Sequence, residues 1–480
     1  MESTCCGSSS SYIIYRPEKL KRSHILDFLL PWRSLKGSGH VEISSSSSHH
    51  DDSQGSIEAH WITFFSCVLQ KIMLRIRRPL SLLGFALEFT LNLFSVNGGI
   101  LKLIATILRG SVVIPNSESK EWRSFLGHID GRIDLHRSSS VPSCISKTAP
   151  TRRIERIINP LELCMMASKV AYENPAYVNN AVTNHWKMHF EGFFNCWNVF
   201  LKEKTTHAFI FCDRPKNARL IVVAFRGTEP FNAKNWCTDL DLSWLSMGKM
   251  GRVHLGFMKA LGLQDEKDVG KGWPKEYRGD KELAYYLIGD KLRALVEKNK
   301  GAKILITGHS LGAALATLFP AILIHHQQTS ILSRLFGVYT FGQPRVGDKQ
   351  FGSFMETHLN SKFKRYVRVV YRYDIVPRIP FDDPYSQFVH FGGCLYYHGW
   401  YRAQVLNEEP DENYFSPFYL LSKHFHALLD LSRALYIGIQ HGKDYTESST
   451  SILFRVFGLL VPGVASHSPR DCVNAARLGR

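Results

Sequence analysis

Ten cysteines are scattered over the 480 residues, yet no two of them stand as Cys-x-x-Cys. A zinc ribbon or thiol redox centre needs that spacing, so neither is expected, and no metal or cofactor is implied. No Asn-x-Ser/Thr acceptor occurs either. The first residues lack a charged start followed by a clean apolar run, so no secretory signal is expected. The cysteines, lying in apolar stretches, then read as reduced, mostly buried thiols in a cytosol-facing chain. Lys and Arg exceed Asp and Glu by 17, but no long basic block and no nucleic-acid-binding signature accompanies them. Nucleic acid is therefore not an expected partner, whereas an anionic lipid surface remains compatible with the charge. No repeat recurs at a period of 20–50 residues.

What is present divides the chain into four parts. Residues 1–56 are Ser-rich, with Ser44–Ser48 unbroken and His49-His50-Asp51-Asp52 after them. Such composition buries little, and a disordered segment is expected. A Ser-rich start also suits a plastid transit peptide, but Glu2, Glu18 and Asp27 argue against one. Residues 57–110 are expected to associate with a membrane or lipid droplet. Within them Phe64, Phe65, Val68, Leu69, Ile72 and Ile76 recur at helical spacing, and the run ends in Arg75, Arg77 and Arg78. From Pro79 to Leu101 the only charge is Glu88. This stretch is long enough to cross a bilayer, but a carboxylate near its centre disfavours a clean span. Asn97-Gly98-Gly99 offers a turn, so a dipping hairpin is the preferred reading. Residues 111–155 are polar and Ser/Pro-bearing, and read as a linker. Residues 156–480 alternate strand and helix signals.

That alternation predicts strands at Ala208–Cys212, Leu220–Phe225, Ile304–Thr307, Val338–Phe341 and Tyr366–Tyr371, and a helix over Glu282–Glu297. The fold class expected is α/β, a mainly parallel sheet with helices on both faces. Ligands then sit beyond the carboxyl ends of the strands. Ser310, Thr228 and Asp374 each follow such an end.

Lys303–Ala316 reads KILITGHSLGAALA. An apolar β-branched run, a Gly-x-Ser-x-Gly turn and a helix are the parts of a nucleophile elbow. The flanking glycines let strand and helix approach, and the helix start directs free N–H groups toward developing negative charge. A serine nucleophile needs a base, and the base needs an orienting acid. In an elbow fold these follow in the order Ser, Asp/Glu, His. Asp374, closing an apolar strand before Pro377 and Pro380, is the best acid; Asp348, in a polar Gly-Asp turn, is the rival. His390, His398, His424, His426, His441 and His467 follow. Spacing alone does not choose among them, although His467 sits in a loop suited to present a base and His390 competes. The N–H of Leu311 supplies one oxyanion donor. Phe225-Arg226-Gly227-Thr228-Glu229 supplies the other, with Thr228 offering both its N–H and its hydroxyl. Residues 229–247, bearing Phe231, Trp236, Trp244 and Leu245, read equally as a lid or as core.

FRGTEP (225–230), ITGHSLGAALA (306–316), TFGQPRVGD (340–348), RYDIVPRIP (372–380) and HSPRDCVNAARLG (467–479), in this order, resemble the class 3 lipases. More narrowly the chain is similar to the plant oil-body triacylglycerol lipases. The resemblance covers roughly 156–480 and implies an α/β-hydrolase fold, with Ser310 as nucleophile, Asp374 as acid, His467 as base and Thr228 as oxyanion donor. It also implies a triacylglycerol substrate and a lipid-droplet or endoplasmic-reticulum surface as partner and location. The three-proline turn of oleosins is missing, so any hairpin would turn at Asn97-Gly98-Gly99. A phospholipase A1 or galactolipase, and a catalytically silent lipase-like scaffold, are the alternatives.

Overall fold

Strand β8 (Lys303–His309) lies at the centre of the molecule because every side chain from Ile304 to His309 can be buried on one sheet face or the other. The computed structural model describes residues 11–20, 41–43, 57–136, 160–264, 273–360, 365–381, 387–407, 410, 414 and 416–479. The Ser44–Ser48 run, the His49–Asp52 cluster and residues 137–155 of the expected linker lie outside these residues.

Twelve strands occur among the described residues: β1 (Tyr12–Tyr15), β2 (Val41–Ile43), β3 (His189–Asn198), β4 (Glu203–Cys212), β5 (Leu220–Phe225), β6 (Trp244–Ser246), β7 (Arg252–His254), β8, β9 (Leu335–Phe341), β10 (Tyr366–Tyr371), β11 (Cys394–Tyr397) and β12 (Ala403–Leu406). Eight of them form one sheet in the order β12-β11-β10-β9-β8-β5-β4-β3. The five from β11 to β5 run parallel, and antiparallel strands close both edges. Alternation along the strands feeds two cores. Ile221, Val223, Phe225, Ile304 and Ile306 face one, and Val222, Ala224, Leu305, Tyr339 and Phe341 face the other. Burying each such aliphatic side chain contributes about 1.5–3 kcal/mol. Helices cover both sides, and the arrangement is the α/β-hydrolase fold.

The helices that position the site are α1 (Ile57–Val96), α2 (Ile100–Leu108), α3 (Phe125–Ile129), α4 (Pro160–Val170), α5 (Ala233–Leu240), α6 (Ala284–Lys298), α7 (Leu311–His325), α8 (Pro417–His441), α9 (Ser449–Gly458), α10 (Pro462–Ser466) and α11 (Pro469–Leu478). The amphipathic and apolar stretches expected as separate pieces form a single 40-residue helix, α1, that runs through Pro79. Proline removes one helical hydrogen bond. Contacts on both sides of it anchor the continuous helix to the rest of the fold. Before Pro79, the Ser66 hydroxyl donates to Leu240 O at 2.5 Å and Cys237 Sγ approaches Gln70 O at 3.6 Å. After it, Gly84 leaves no room for a Cβ against Phe231, and the Asn92 amide donates to Arg123 O at 2.8 Å. Residues 62–96 are long and apolar enough to cross a membrane by length and composition. Glu88 is not stranded among them, since it accepts the N–H of Phe125 at 2.8 Å. The chain turns at Asn97-Gly98-Gly99, both glycines having positive φ.

Two expectations fail. The Ser-rich N-terminal part is not without structure throughout: β1 pairs with β2 and with β6, some 230 residues downstream, in a four-stranded sheet. Tyr12-Ile13-Ile14-Tyr15 holds enough apolar surface to outweigh its polar surroundings. The supposed linker is also folded over residues 111–136. There Ser124 caps α3, and Asp130 is buried in ion pairs with Arg132 and Lys169. The seven described cysteines are buried.

Candidate active site

Ser310 stands between β8 and α7 at φ 58° and ψ −133°, a conformation that non-glycine residues avoid. Its flanking glycines explain how the turn closes. A Cβ on Gly308 would strike Gly312 O, and one on Gly312 would strike Phe225 O. The Ser310 N–H is held by Phe341 O at 2.9 Å. Leu311 begins α7, where first-turn N–H groups have no helical partner.

Gly342, the next residue after Phe341, brings the acid and the base to the same place. At φ 54° it packs so close that a Cβ there would lie 2.6 Å from Asp374 Oδ2 and 2.7 Å from His467 Nδ1. His467 Nδ1 is 2.9 Å from both oxygens of Asp374. Since a carboxylate only accepts, Nδ1 carries the proton and Nε2 presents its lone pair. Nε2 is buried and has no hydrogen-bond partner among the described residues. Asp374 is itself fixed by the N–H of Val376 at 2.9 Å.

The rivals stand elsewhere. Asp348 caps a short helix by accepting the Phe351 N–H at 2.8 Å. His390 Nε2 donates to Pro377 O at 2.8 Å. His398 bonds Gln404, and His424, His426 and His441 lie along α8.

Thr228 follows β5 and is buried. Its hydroxyl, expected to be available beside its N–H, is already donated to Asp239 Oδ2 at 2.7 Å. Asp239 lies near the end of α5. Burial pushes its carboxyl up to about 7, against the pull of the Thr228 bond and of the nearby His467. The residues weighed as lid or core divide between the two. Trp244 and Leu245 are buried in β6, whereas Phe231 and Trp236 are half-buried around α5.

Three positions were not singled out from the sequence. His309, inside the elbow motif, donates from Nε2 to His467 O at 3.0 Å and accepts the Tyr172 hydroxyl on Nδ1 at 2.9 Å. Burial, then the neighbouring His467, hold His309 well below the ordinary imidazole range, so it stays neutral. Gly342 was legible as the glycine of TFGQP, but only its packing reveals its use. Asp239 had no local signal. Beside the site a cleft of about 940 Å³ runs between α1 and the domain, with Phe85, Glu88, Tyr172, Arg226 and Phe231 in its walls.

The arrangement can polarise a serine hydroxyl and hold a developing oxyanion; a group of three or more potential metal ligands is not found among the described residues. A family model described as lipase (class 3) matches residues 222–383. A protein named triacylglycerol lipase OBL1 from Nicotiana tabacum is 40% identical, covering 92% of this chain and 87% of its own length. Its namesake from Arabidopsis thaliana is also 40% identical, covering 87% and 85%. The solved triacylglyceride lipase of Rhizomucor miehei aligns over 56% of this chain and 92% of its own, at 22% identity and a TM-score of 0.39. With relatives of that identity spanning nearly its whole length, the chain belongs to the class 3 lipase family, in the branch of the plant OBL1 lipases.

Proposed function

We propose that this chain is a serine lipase that hydrolyses triacylglycerols at a lipid–water interface, with Ser310, His467 and Asp374 as its triad. The observation that carries the reading is the state of His467. Its Nδ1 is engaged by both Asp374 oxygens, while Nε2 is left buried and unengaged beside the elbow. His467 Nε2 takes the Ser310 proton as Oγ bonds to the ester carbonyl carbon. The carbonyl oxygen becomes an oxyanion, met by the N–H groups of Leu311 and Thr228. His467 returns the proton to the departing glyceride oxygen, leaving an acyl-serine. Water, deprotonated by the same nitrogen, then releases the fatty acid and restores Ser310. The Thr228 hydroxyl positions its backbone through Asp239.

Ser310 and Thr228 are both buried, so a long-chain ester needs an opening to reach them, and α5, whose Asp239 holds the Thr228 hydroxyl, is the element we assign to shift. The apolar length of α1 and the turn at residues 97–99 support attachment to a droplet or endoplasmic-reticulum surface on the cytosolic side. Purified full chain is expected to release fatty acid from emulsified triolein faster than from phosphatidylcholine or galactolipid. Ser310→Ala should remove at least about 10⁴-fold of that rate. Full activity in Ser310→Ala would overturn the triad, and a preference for phosphatidylcholine would overturn the substrate.

A further inference from the structure

Helices α8 and α9 are built inside out. On α8, Leu421, Phe425, Leu428, Leu435 and Ile439 fall on one helical stripe, and each is between 51 and 88% exposed. The opposite stripe, Lys423, Asp430 and Arg433, is buried. On α9, Leu453, Val456 and Phe457 face outward, as does Leu460 just beyond its end, while Arg455 faces inward. A helix on a water-facing surface does the reverse, and so much contiguous exposed apolar surface marks an interaction face.

The buried charges hold the pair in this orientation. Arg433 Nη2 lies 3.0 Å from Asp471 Oδ1, and Arg455 reaches both Asp471 oxygens at 3.0 Å and Glu447 at 2.7 Å. Asp471 follows His467 by one helical turn, on α11. The apolar pair is thus bolted to the segment that carries the base.

Charge and continuity decide the occupant. The only acidic residue in α8 and α9 is Asp430, which is buried, so the outer face presents nothing to repel phosphate. The apolar surface also continues toward α1. Phe454 of α9 packs edge-on against Phe125 at 6.1 Å, Phe125 against Phe231 at 5.1 Å, and Phe231 against Gly84. Beyond Gly84, α1 exposes Leu82, Leu83 and Phe85, with Arg77 and Arg78 beside them.

We propose that α8 and α9 form a second lipid-docking face, which seats the catalytic domain itself on a phospholipid-covered surface alongside α1. The inference rests on the lipase reading for the reason to meet such a surface. The exposed arginines that would favour anionic lipid, Arg77 and Arg78, lie on the neighbouring α1, while α8 and α9 supply apolar contact with the plane of the headgroups.

The test uses full-length Leu421→Glu/Phe425→Glu/Leu435→Glu and, separately, Ile439→Glu, the most exposed site on the stripe. Flotation with phosphatidylcholine vesicles, with and without phosphatidylserine, should show binding reduced about tenfold or more in the triple variant. Hydrolysis of water-soluble p-nitrophenyl butyrate and the melting temperature should match wild type in both. Unchanged flotation of both variants overturns the proposal, as does a wild type that does not float. If light scattering finds a wild-type dimer and a monomeric triple variant that floats equally well, the face belongs to a second copy. A wild type that floats but leaves the soluble ester intact would instead overturn the lipase reading alone.

Discussion

Replacing Gly342 by alanine should disable the site without touching any side chain that does chemistry. The added Cβ would lie 2.6 Å from Asp374 Oδ2 and 2.7 Å from His467 Nδ1, whereas ordinary contacts begin near 3.4 Å. The carboxylate must therefore withdraw by about 0.8 Å, and the imidazole by nearly as much, in directions set by the same methyl group. The two 2.9 Å bonds between them cannot both survive that. The positive φ of Gly342 adds about 1 kcal/mol of backbone strain for alanine. Together the clash and the strain should cost about 2 kcal/mol, or about 2–3 °C in Tm for a domain of this size. Misplacement approaching 1 Å in the base should lower kcat about 100-fold. KM should stay within about twofold, because Gly342 lies behind the catalytic pair. Steady-state kinetics on p-nitrophenyl butyrate, with differential scanning calorimetry alongside, measures both. A Gly342→Ala enzyme with wild-type kcat and Tm would refute the argument that this glycine sets the Asp374–His467 geometry.

Asp239→Asn tests the carboxyl under Thr228. Asp239 titrates near 7 when folded and near 4 when unfolded. The folded state keeps a proton that the unfolded chain loses across that window. Stability is therefore greatest below about 4, falls as pH rises to about 7, and then levels. Urea unfolding should show the asparagine variant gaining on wild type by about 3 kcal/mol between pH 4.5 and 7.5. An equal difference at both pH values would contradict the raised carboxyl. Arg455→Met removes, among the described residues, one of two cationic partners of Glu447, leaving Arg470, and one of two of Asp471, leaving Arg433. Leaving those buried carboxylates short of charge should cost about 3–5 kcal/mol in urea unfolding, and a loss under about 1 kcal/mol would show the network to be dispensable.

Ser310, Asp374 and the strands before them were legible because each signal is local: a β-branched run, then a glycine or proline that stops it. Leu220–Phe225 and Tyr366–Tyr371 match their expected ends. His467 was not separable from His390 by spacing, because the choice depends on Gly342 and His309, which meet His467 only in three dimensions. The β1 strand escaped notice because its partner, β6, lies so far along the chain, and a Ser-rich composition outweighed four apolar letters. The orientation of α8 and α9 was hidden for a different reason. Periodicity shows that a helix has two faces, but the inward direction follows from Asp471, which makes the charged face the buried one.

The hydrogen bonds from Ser66 and Gln70 to Leu240 tie α5 to a helix about 60 Å long. In the role of the cover proposed above, α5 cannot lift alone: either those bonds break or the N-terminal half of α1 travels with it. On these proposals, removing the N-terminal segment performs two experiments at once, deleting the proposed attachment and unfastening the proposed cover. A truncated chain that leaves its lipid surface but gains turnover on soluble esters would not be a paradox. Substitutions confined to Ser66 and Gln70 separate the two effects, since they release the cover and leave the apolar length of α1 intact.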